Sequence, residues 1–290
     1  MSSIANILVV GSGIMGRGIA YVSALGGFQT YVYDVSEEAL EKAKEIISDY
    51  IEKGLARGVI SGQDAEKIRK RIVYVTELAD TCTMVDFVIE AVPENMSIKR
   101  EVFEKLDQLT RPHVILATNT STMSPTEIGS YTQRPDKVIA MHFFNPVPNM
   151  RLVEIVKGLE TSEETSQTVK QVAEKMGKET VIINEFPGFI TSRINCLIGN
   201  EAFQMLMEGV GTPEEIDKAI ELGLNFPMGP FKLVDLVGLD TRLKNLEYLH
   251  QTLGERFRPN PLLVKYVKAG RLGRKTGIGV YDYRGEQQKK

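Results

Sequence analysis

Two patterns of hydrophobic and polar positions follow one another along the chain. Up to residue 184, short runs rich in β-branched residues alternate with stretches whose apolar positions recur at helical spacing. The runs predicted to be strands are 4–10, 28–34, 72–75, 86–91, 113–119, 137–143, 151–156 and 180–184. One long helix is predicted from Glu37 to about Ala56, with Ser36 as its N-cap. Because strands that alternate with helices favour parallel pairing, we expect a parallel sheet covered on both faces.

The pattern changes after residue 184. Strand-like runs disappear, and helical periodicity continues through residues 189–209, 212–223 and 229–254, with an interruption near Gly238. We therefore predict an α/β domain at residues 1–184 and a helical domain at residues 185–290. The first of these helices is apolar around most of its circumference, and about 100 residues make only a thin helical layer. Part of that surface should be buried in a homodimer or a higher homo-oligomer.

Composition narrows the classes of function. The chain has 35 Lys and Arg against 38 Asp and Glu, interspersed, with a formal net charge of −3. No field of one sign is available to attract nucleic acid or an anionic membrane, and we expect neither as a partner. No targeting segment or membrane span is evident, so a cytoplasmic protein is expected. Cys82 and Cys196 stand far apart with no second cysteine near either, which argues against a disulfide framework and a metal site.

The segment "VVGSGIMGRGIA" follows the first predicted strand and opens a helix. Gly11, Gly13 and Gly16 have the spacing of a dinucleotide-binding loop, in which the glycines allow the tight turn, the approach of a pyrophosphate and close helix–strand contact. The second strand ends in Asp34, which can accept both ribose hydroxyls and would repel a 2′-phosphate, so NAD is favoured over NADP. In the alternative interpretation the glycines serve only the turn. The loop residues expected to contact the dinucleotide are Gly11, Ser12, Gly13, Ile14, Met15 and Gly16.

His142 is the natural candidate for a proton-transfer residue. It stands in "MHFFNP" at the carboxyl end of a predicted strand, where a sheet of this kind holds the nicotinamide. Oxidation of an alcohol requires a base for the hydroxyl proton, and imidazole has a suitable pKa. Glu154 lies in an apolar run, and a nearby imidazolium would explain a carboxylate at that position. The alternative is a core histidine and an edge-strand charge.

Six segments together resemble the 3-hydroxyacyl-CoA dehydrogenase family. They are "VVGSGIMGRGIA", "EAVPENMSIK", "NTST", "MHFFNPVPNMRLVEIV", "NFPMGPF" and "AGRLGRKTGIGVYDY". The resemblance covers essentially the whole chain with the motifs in order. It implies a Rossmann-like amino-terminal domain, an all-α carboxyl-terminal domain that dimerises, and reversible NAD-linked oxidation of an (S)-3-hydroxyacyl-CoA, with 3-hydroxybutanoyl-CoA as the expected substrate.

Site residues carried over from the resemblance lie mostly near the ends of the later strands. The resemblance makes His142 the general acid/base and Glu154 its orienting partner. It places Ser121 against the reacting oxygen of the substrate and also near the cofactor. Asn119 and Asn145 are implied to lie at the cofactor as well.

Three charged residues are implied to contact the cofactor. Glu94 and Lys99 fall where the family contacts the dinucleotide, although the residues alone favour a charge pair at a helix start. Lys275 would reach the same cofactor from the carboxyl-terminal domain of its own chain or of the other subunit.

At the positions that bind the substrate, this chain departs from the family pattern. Where the family usually has asparagine before arginine, this chain has Ser192 before Arg193. Ser192 would act directly or through a water, Asn195 would reach the site from one turn later, or catalysis would be altered or lost. Lys53 and Arg57 share a helix face and would suit a CoA phosphate, but a solvated basic face is the ordinary alternative.

Two other functions therefore remain open at this stage. A related NAD-dependent dehydrogenase of a free hydroxy acid would carry the same loop and histidine. A cofactor-binding protein that has lost catalysis would also fit, because Ser192 departs from the family pattern.

Overall fold

The computed structural model describes residues 4–287. The chain divides into two compact units, one that extends to Phe186 and one that begins at Pro187. The sequence places this division at residue 184. Within the described residues, no helix is long and apolar enough to cross a membrane.

The first unit is built on one eight-stranded sheet. All of the predicted strands are present, with ends shifted by a few residues at most. They are β1 Asn6–Val10, β2 Gln29–Tyr33, β3 Ile72–Val75, β4 Phe87–Glu90, β5 Ile115–Thr118, β6 Val138–Phe143, β7 Leu152–Lys157 and β8 Glu179–Asn184. In space the strands are ordered β3-β2-β1-β4-β5-β6-β7-β8.

The sheet is mixed, and the prediction of a parallel sheet is wrong for one pair of strands, β6 and β7. Strands β1 to β6 are parallel, whereas β7 runs antiparallel to β6 and β8 runs parallel to β7. The physical reason is the length of the connection at 144–151. A parallel crossover needs a dozen or more residues, and this loop is too short to provide one.

Helices cover both faces of this sheet, as predicted. Along β1, Ile7 and Val9 belong to one buried cluster with α1, α2, α3 and α7, while Leu8 and Val10 belong to another with α4, α5 and α6. Successive side chains of β1 thus point to opposite faces of the sheet, and both faces are buried. The helices are α1 Ile14–Leu25, α2 Glu37–Ala56, α3 Gly62–Arg71, α4 Leu78–Cys82, α5 Met96–Leu109, α6 Pro125–Ser130 and α7 Glu163–Lys175.

Helix α2 has the bounds and the cap that the sequence predicts. The Ser36 hydroxyl accepts a hydrogen bond from the Ala39 N–H at 3.2 Å, which satisfies one of the free N–H groups at the helix start. Glu37 and Glu38 occupy the first turn, where carboxylates interact favourably with the positive end of the helix dipole.

The second unit is helical, in agreement with the change of pattern after residue 184. Its helices are α8 Thr191–Met207, α9 Pro213–Gly223, α10 Pro230–Val237, α11 Leu239–Leu253, α12 Pro261–Lys268 and α13 Arg284–Gln287. The predicted interruption occurs at Gly238, whose φ of 104° ends α10 and turns the chain into α11. Phe203, Phe231 and Leu246 belong to its separate apolar core.

Buried carboxylates fix the last described segment to this helical core. Asp235 of α10 accepts hydrogen bonds from the N–H groups of Val280 and Tyr281, at 2.8 and 2.9 Å, and from the Tyr283 hydroxyl at 3.0 Å. Burial raises the pKa of Asp235, and the three donors compensate its charge. The Tyr281 hydroxyl donates to Asp217 at 2.8 Å, so the tail that carries the "GRKTG" motif is part of the folded unit.

Candidate active site

His142 and Glu154 face each other across the antiparallel pair of β6 and β7. They are direct partners in the strand register, and Nδ1 of His142 lies 2.8 Å from Oε2 of Glu154. Glu154 is fully buried and His142 is nearly so. The two side chains that the sequence pairs therefore lie within hydrogen-bonding distance, and the imidazole explains the charge inside the apolar run.

This contact determines which nitrogen of His142 can exchange a proton. A carboxylate only accepts hydrogen bonds, so Nδ1 carries the hydrogen in the contact with Glu154. Proton exchange then falls to Nε2, and the carboxylate stabilises the imidazolium when Nε2 is protonated. A histidine held in this way is suited to general acid and base catalysis.

Asn119 connects the end of β5 to the strand of His142. The side-chain oxygen of Asn119 accepts a hydrogen bond from the Phe143 N–H at 3.0 Å. The backbone N–H of Asn119 donates to the backbone carbonyl of Glu90 at 2.7 Å. The ring of Phe144 packs against the imidazole, with centroids 4.5 Å apart. Asn119 and His142, two of the residues expected at the cofactor or substrate, thus lie together at the carboxyl ends of the neighbouring strands β5 and β6.

Each glycine of the loop has its own structural reason. Gly11 has a φ of 97°, and a Cβ there would lie 2.7 Å from the Ala91 carbonyl oxygen. A Cβ at Gly16 would overlap the carbonyl of Gly11. A Cβ at Gly13, in contrast, would meet nothing within 4 Å, so only Gly13 faces open space. This difference fits a loop whose second glycine leaves room for a phosphate.

Asp34 and the glycine loop are held to each other by hydrogen bonds. The N–H and the hydroxyl of Ser12 both donate to Oδ2 of Asp34 at 2.8 Å, and the Ser36 N–H donates to Oδ1 at 3.1 Å. Gly13 caps α1 without a side-chain bond, and the neighbouring Ile14 is exposed. The N–H groups at the start of α1 thus remain for an anionic ligand, and the residues present fit a dinucleotide.

Lys99 is buried among carboxylates. Its ammonium lies 2.8 and 2.9 Å from the two oxygens of Glu90 and 3.3 Å from Glu94, and its side chain is 1 % exposed. The ion pair between Lys99 and Glu94 is the charge pair at a helix start that the residues alone predict, without the resemblance to the family. Because the ammonium is enclosed, Glu94, whose side chain is 37 % exposed, is the better placed of the two to meet a ligand.

Glu94 in turn holds the loop of Ser121. Its Oε1 accepts from the Thr120 hydroxyl at 2.5 Å and from the Ser121 N–H at 3.0 Å. A continuous chain of contacts thus runs from Glu90 through Lys99 and Glu94 to Ser121. Glu90 and Thr120 were not among the site residues predicted from the sequence. The signal for Glu90 was present, since "FVIE" carries a charge at the end of an apolar strand in the same way as "LVEIV".

The two residues expected to contact CoA lie on the surface of the first unit. Lys53 is exposed and pairs with Asp49, one turn earlier on α2, at 2.8 Å. Arg57 is exposed at the C-cap of the same helix. Both interpretations of this pair, a phosphate site and a solvated face, are compatible with these positions.

The remaining predicted site residues are in two different places. Asn145 lies in the loop after β6, within the first unit. Ser192 and Asn195 lie at the start of α8, in the second unit, and both are partly buried. Lys275 is exposed there and forms an ion pair with Asp240 at 2.5 Å, which compensates part of the charge that it could offer to a cofactor.

A dinucleotide loop and a histidine–carboxylate pair on one α/β sheet define an NAD-linked dehydrogenase. The chain matches the family model for the 3-hydroxyacyl-CoA dehydrogenase NAD binding domain over residues 6–186 and the model for the C-terminal domain over residues 188–283. It therefore belongs to the 3-hydroxyacyl-CoA dehydrogenase family.

Individual relatives are similar over nearly their full length. A probable 3-hydroxybutyryl-CoA dehydrogenase of Bacillus subtilis is 47 % identical over 281 residues, which cover 97 % of this chain and 98 % of the relative. A 3-hydroxybutyryl-CoA dehydrogenase of Bradyrhizobium diazoefficiens is 42 % identical, with coverage of 97 % and 96 %. The crystal structure of (S)-3-hydroxybutyryl-CoA dehydrogenase from Ralstonia eutropha has a TM-score of 0.93, 39 % identity and coverage of 97 % and 99 %.

Gly13→Ala tests the role of the loop in dinucleotide binding. Because a Cβ at this position meets nothing within 4 Å, the variant should keep the thermal midpoint of the wild type. The added methyl group occupies the space through which a pyrophosphate approaches, so the Kd for NADH should rise at least about tenfold. Fluorescence titration with NADH and a thermal melt provide the two measurements.

Gly16→Ala is the matched contrast. Its Cβ would overlap the Gly11 carbonyl, so this variant should melt at a lower temperature than Gly13→Ala. Wild-type affinity for NADH in Gly13→Ala would contradict the assignment of the loop.

Proposed function

We propose that this protein oxidises an (S)-3-hydroxyacyl-CoA to the 3-oxoacyl-CoA with NAD and catalyses the reverse reduction, with 3-hydroxybutanoyl-CoA as its substrate. The observation that carries the proposal is the 2.8 Å contact between His142 and Glu154 in a chain of the 3-hydroxyacyl-CoA dehydrogenase family. The relatives from Bacillus subtilis and Ralstonia eutropha are named for the 3-hydroxybutyryl thioester, which supports the short acyl chain.

The proposed mechanism assigns the proton to His142. Bound NAD would accept the hydride in oxidation and supply it, as NADH, in reduction. In oxidation Nε2 of His142 takes the proton of the C3 hydroxyl, while Glu154 keeps the Nδ1 hydrogen and stabilises the imidazolium. In reduction the imidazolium returns the proton to the oxygen at C3.

Ser121 would stabilise the reacting oxygen. Its backbone N–H donates to Glu94 at 3.0 Å, and its hydroxyl lies 3.5 Å from the same carboxylate oxygen. The backbone of Ser121 is thus held in place, and the hydroxyl would turn from this long contact to donate to the substrate oxygen. We also assign Asn145, Lys275 and Glu94 to cofactor binding. Ser192, with the adjacent turn of α8, is assigned to the substrate.

The substrate class is tested by comparing acetoacetyl-CoA with free acetoacetate and NADH with NADPH. Acetoacetyl-CoA with NADH should be reduced fastest, and replacing either component should lower kcat/KM at least about tenfold, since Asp34 repels a 2′-phosphate and the free acid lacks the CoA contacts. Equal rates with free acetoacetate would favour a dehydrogenase of free hydroxy acids. Tight NADH binding without turnover of short or long acyl-CoA would favour a protein that has lost catalysis.

His142→Gln tests the proton-transfer role. The variant should lower kcat at least about 10²-fold, because the general acid is lost, and leave the Kd for NADH nearly unchanged. His250→Gln is the matched control, since His250 lies on α11 and pairs with Glu255 at 3.1 Å, and it should keep wild-type kcat. A wild-type turnover number in His142→Gln would refute the assignment.

We also infer that a second copy of the chain covers an apolar surface of the helical unit. Both ends of α8, the carboxyl end of α9 and the segments next to these helix ends expose large apolar side chains. They include Ile190, Ile194, Met207, Val210, Leu222, Leu224 and Phe226. Leu224 and Phe226 also line a cavity of about 410 Å³ with Leu197 and Met205. Exposed apolar patches of this kind mark protein interfaces.

Light scattering after gel filtration tests this assembly. The wild type should have the mass of a dimer or a higher oligomer, and Phe226→Glu should lower the mass because it buries a charge in the interface. Leu159→Glu is the control, since Leu159 is exposed on the first unit and should not alter the mass. A monomeric wild type would contradict the inference.

We propose the cytoplasm as the compartment. Cys82 and Cys196 are both buried free thiols. Burial raises the pKa of Cys82 to about 11 and also raises the pKa of Cys196, so both stay protonated. Unpaired cysteines of this kind fit a reducing environment.

A further inference from the structure

The loop at 144–151 connects the strand of His142 to the strand of Glu154. It contains Asn145, which we assign to the cofactor, and it turns the chain back so that β7 pairs with β6. Within the loop, the N–H groups of Asn149 and Met150 both donate to the Pro146 carbonyl, at 3.0 and 3.1 Å. The position of this loop therefore bears directly on the register in which the two catalytic side chains meet.

Lys178 binds this loop from the turn between α7 and β8. Its ammonium donates to the carbonyl of Val147 at 2.6 Å and to the carbonyl of Met150 at 2.8 Å. Next to it, the Glu179 N–H donates to the Arg151 carbonyl at 2.8 Å. One short segment of chain thus holds the second half of the loop by three hydrogen bonds.

Helix α1 confines the same loop from another direction. The Val147 side chain is buried, and a Cβ at Gly18 would lie 2.8 Å from the Cβ of Val147. Because α1 begins at the glycine loop, the 144–151 loop is packed against the helix that would bind the pyrophosphate. Lys178 then fixes the loop in this packed position.

The environment of Lys178 is unusual for a lysine. It is 7 % exposed, and among the described residues no carboxylate lies within 4 Å of its ammonium. Burial lowers the pKa of Lys178, so the charged form is maintained at a cost, with only carbonyl oxygens as partners. A methionine of similar length would carry no such cost, which points to a purpose for the ammonium itself.

We propose that Lys178 is a positioning residue that fixes the 144–151 loop and thereby holds His142, Glu154 and Asn145 in their working arrangement. The kinetic part of this inference rests on the proposed dehydrogenase function. Its structural part, the attachment of the loop, can be measured without any substrate.

Lys178→Met removes the ammonium and keeps an unbranched side chain of similar length. For acetoacetyl-CoA reduction, kcat should fall about tenfold or more, because small displacements of reacting groups are costly. The KM for acetoacetyl-CoA should change less than about threefold. The Kd for NADH should rise by a smaller factor than kcat falls, since the glycine loop is intact and only the assigned contact of Asn145 with the cofactor is displaced. Hydrogen exchange of peptides from residues 144–151 should accelerate at least about tenfold, while exchange in β1 stays unchanged.

Two further variants separate positioning from simple loss of a charge. Lys178→Arg keeps a cation with several donors and should retain kcat within about threefold of the wild type. Lys175→Met is the matched control. Lys175 ends α7, is exposed and lies over the Phe28 ring at 5.7 Å, so its removal should leave both kcat and loop exchange unchanged.

The outcomes distinguish this inference from the proposed function. Wild-type kcat in Lys178→Met overturns the positioning role, whether or not loop exchange changes. A wild type that cannot reduce acetoacetyl-CoA overturns the proposed function, and loop exchange alone then decides whether Lys178 fixes the loop. Should Lys178→Met melt below the assay temperature, Lys178→Gln takes its place with the same expected results, because its uncharged amide is one atom shorter than the ammonium and does not reach both carbonyls.

Discussion

The hydrogen bond between His142 and Glu154 is the contact on which the rest of the site depends. A fully buried carboxylate is unfavourable unless an opposing group satisfies it. Strands β6 and β7 can therefore pair in their observed register because the imidazole stands opposite the carboxylate. The same bond fixes the tautomer of the ring and would stabilise the imidazolium that forms when Nε2 accepts a proton. A requirement of the fold and a requirement of the chemistry are met by one pair of atoms.

The neighbouring strands repeat this arrangement with different residues. Glu90 ends β4 as a fully buried carboxylate, and Lys99 and the Thr118 hydroxyl satisfy it. Through Glu94 this cluster reaches Ser121, just as Glu154 reaches His142 directly. His142 is thus anchored directly to a buried carboxylate on a strand, whereas Ser121 is anchored to the half-exposed Glu94, which Lys99 links to the buried Glu90 at the end of β4. Such anchoring lets the site meet developing charge without reorganising.

Local sequence patterns were sufficient to predict the helices and strands but not the directions in which the strands pair. The strands follow from β-branched runs, α2 follows from its cap and its periodicity, and the dinucleotide loop follows from glycine spacing in the correct context. Alternation contains no information on strand direction, so the reversal at β7 was missed, although the short loop at 144–151 implies it. The pairing of His142 with Glu154 could be predicted from the sequence because both residues interrupt apolar runs.

Residues whose role depends on distant parts of the chain are harder to recognise in the local sequence. Lys99 was expected at the cofactor because its motif resembles that of the family, but its enclosure depends on Glu90 from another element. Lys178 lies in an ordinary turn after α7 and has no local feature that distinguishes it from the exposed Lys175. Its burial is produced by a loop that precedes it by a whole helix in the chain. Tertiary contacts of this kind cannot be obtained from periodicity or spacing.

Chemistry and substrate choice draw on different parts of the molecule. In the proposed mechanism His142 and Ser121 act on an oxygen at C3, and neither role calls on the CoA portion of the substrate. Lys53 and Arg57 are exposed, and Lys53 already pairs with Asp49, so their attraction for a phosphate is weakened by solvent and salt. The preference for a thioester that we propose would then depend on other contacts along the acyl and pantetheine chain. Binding energy from these remote contacts raises the rate only when it serves to place C3 against the fixed histidine and serine.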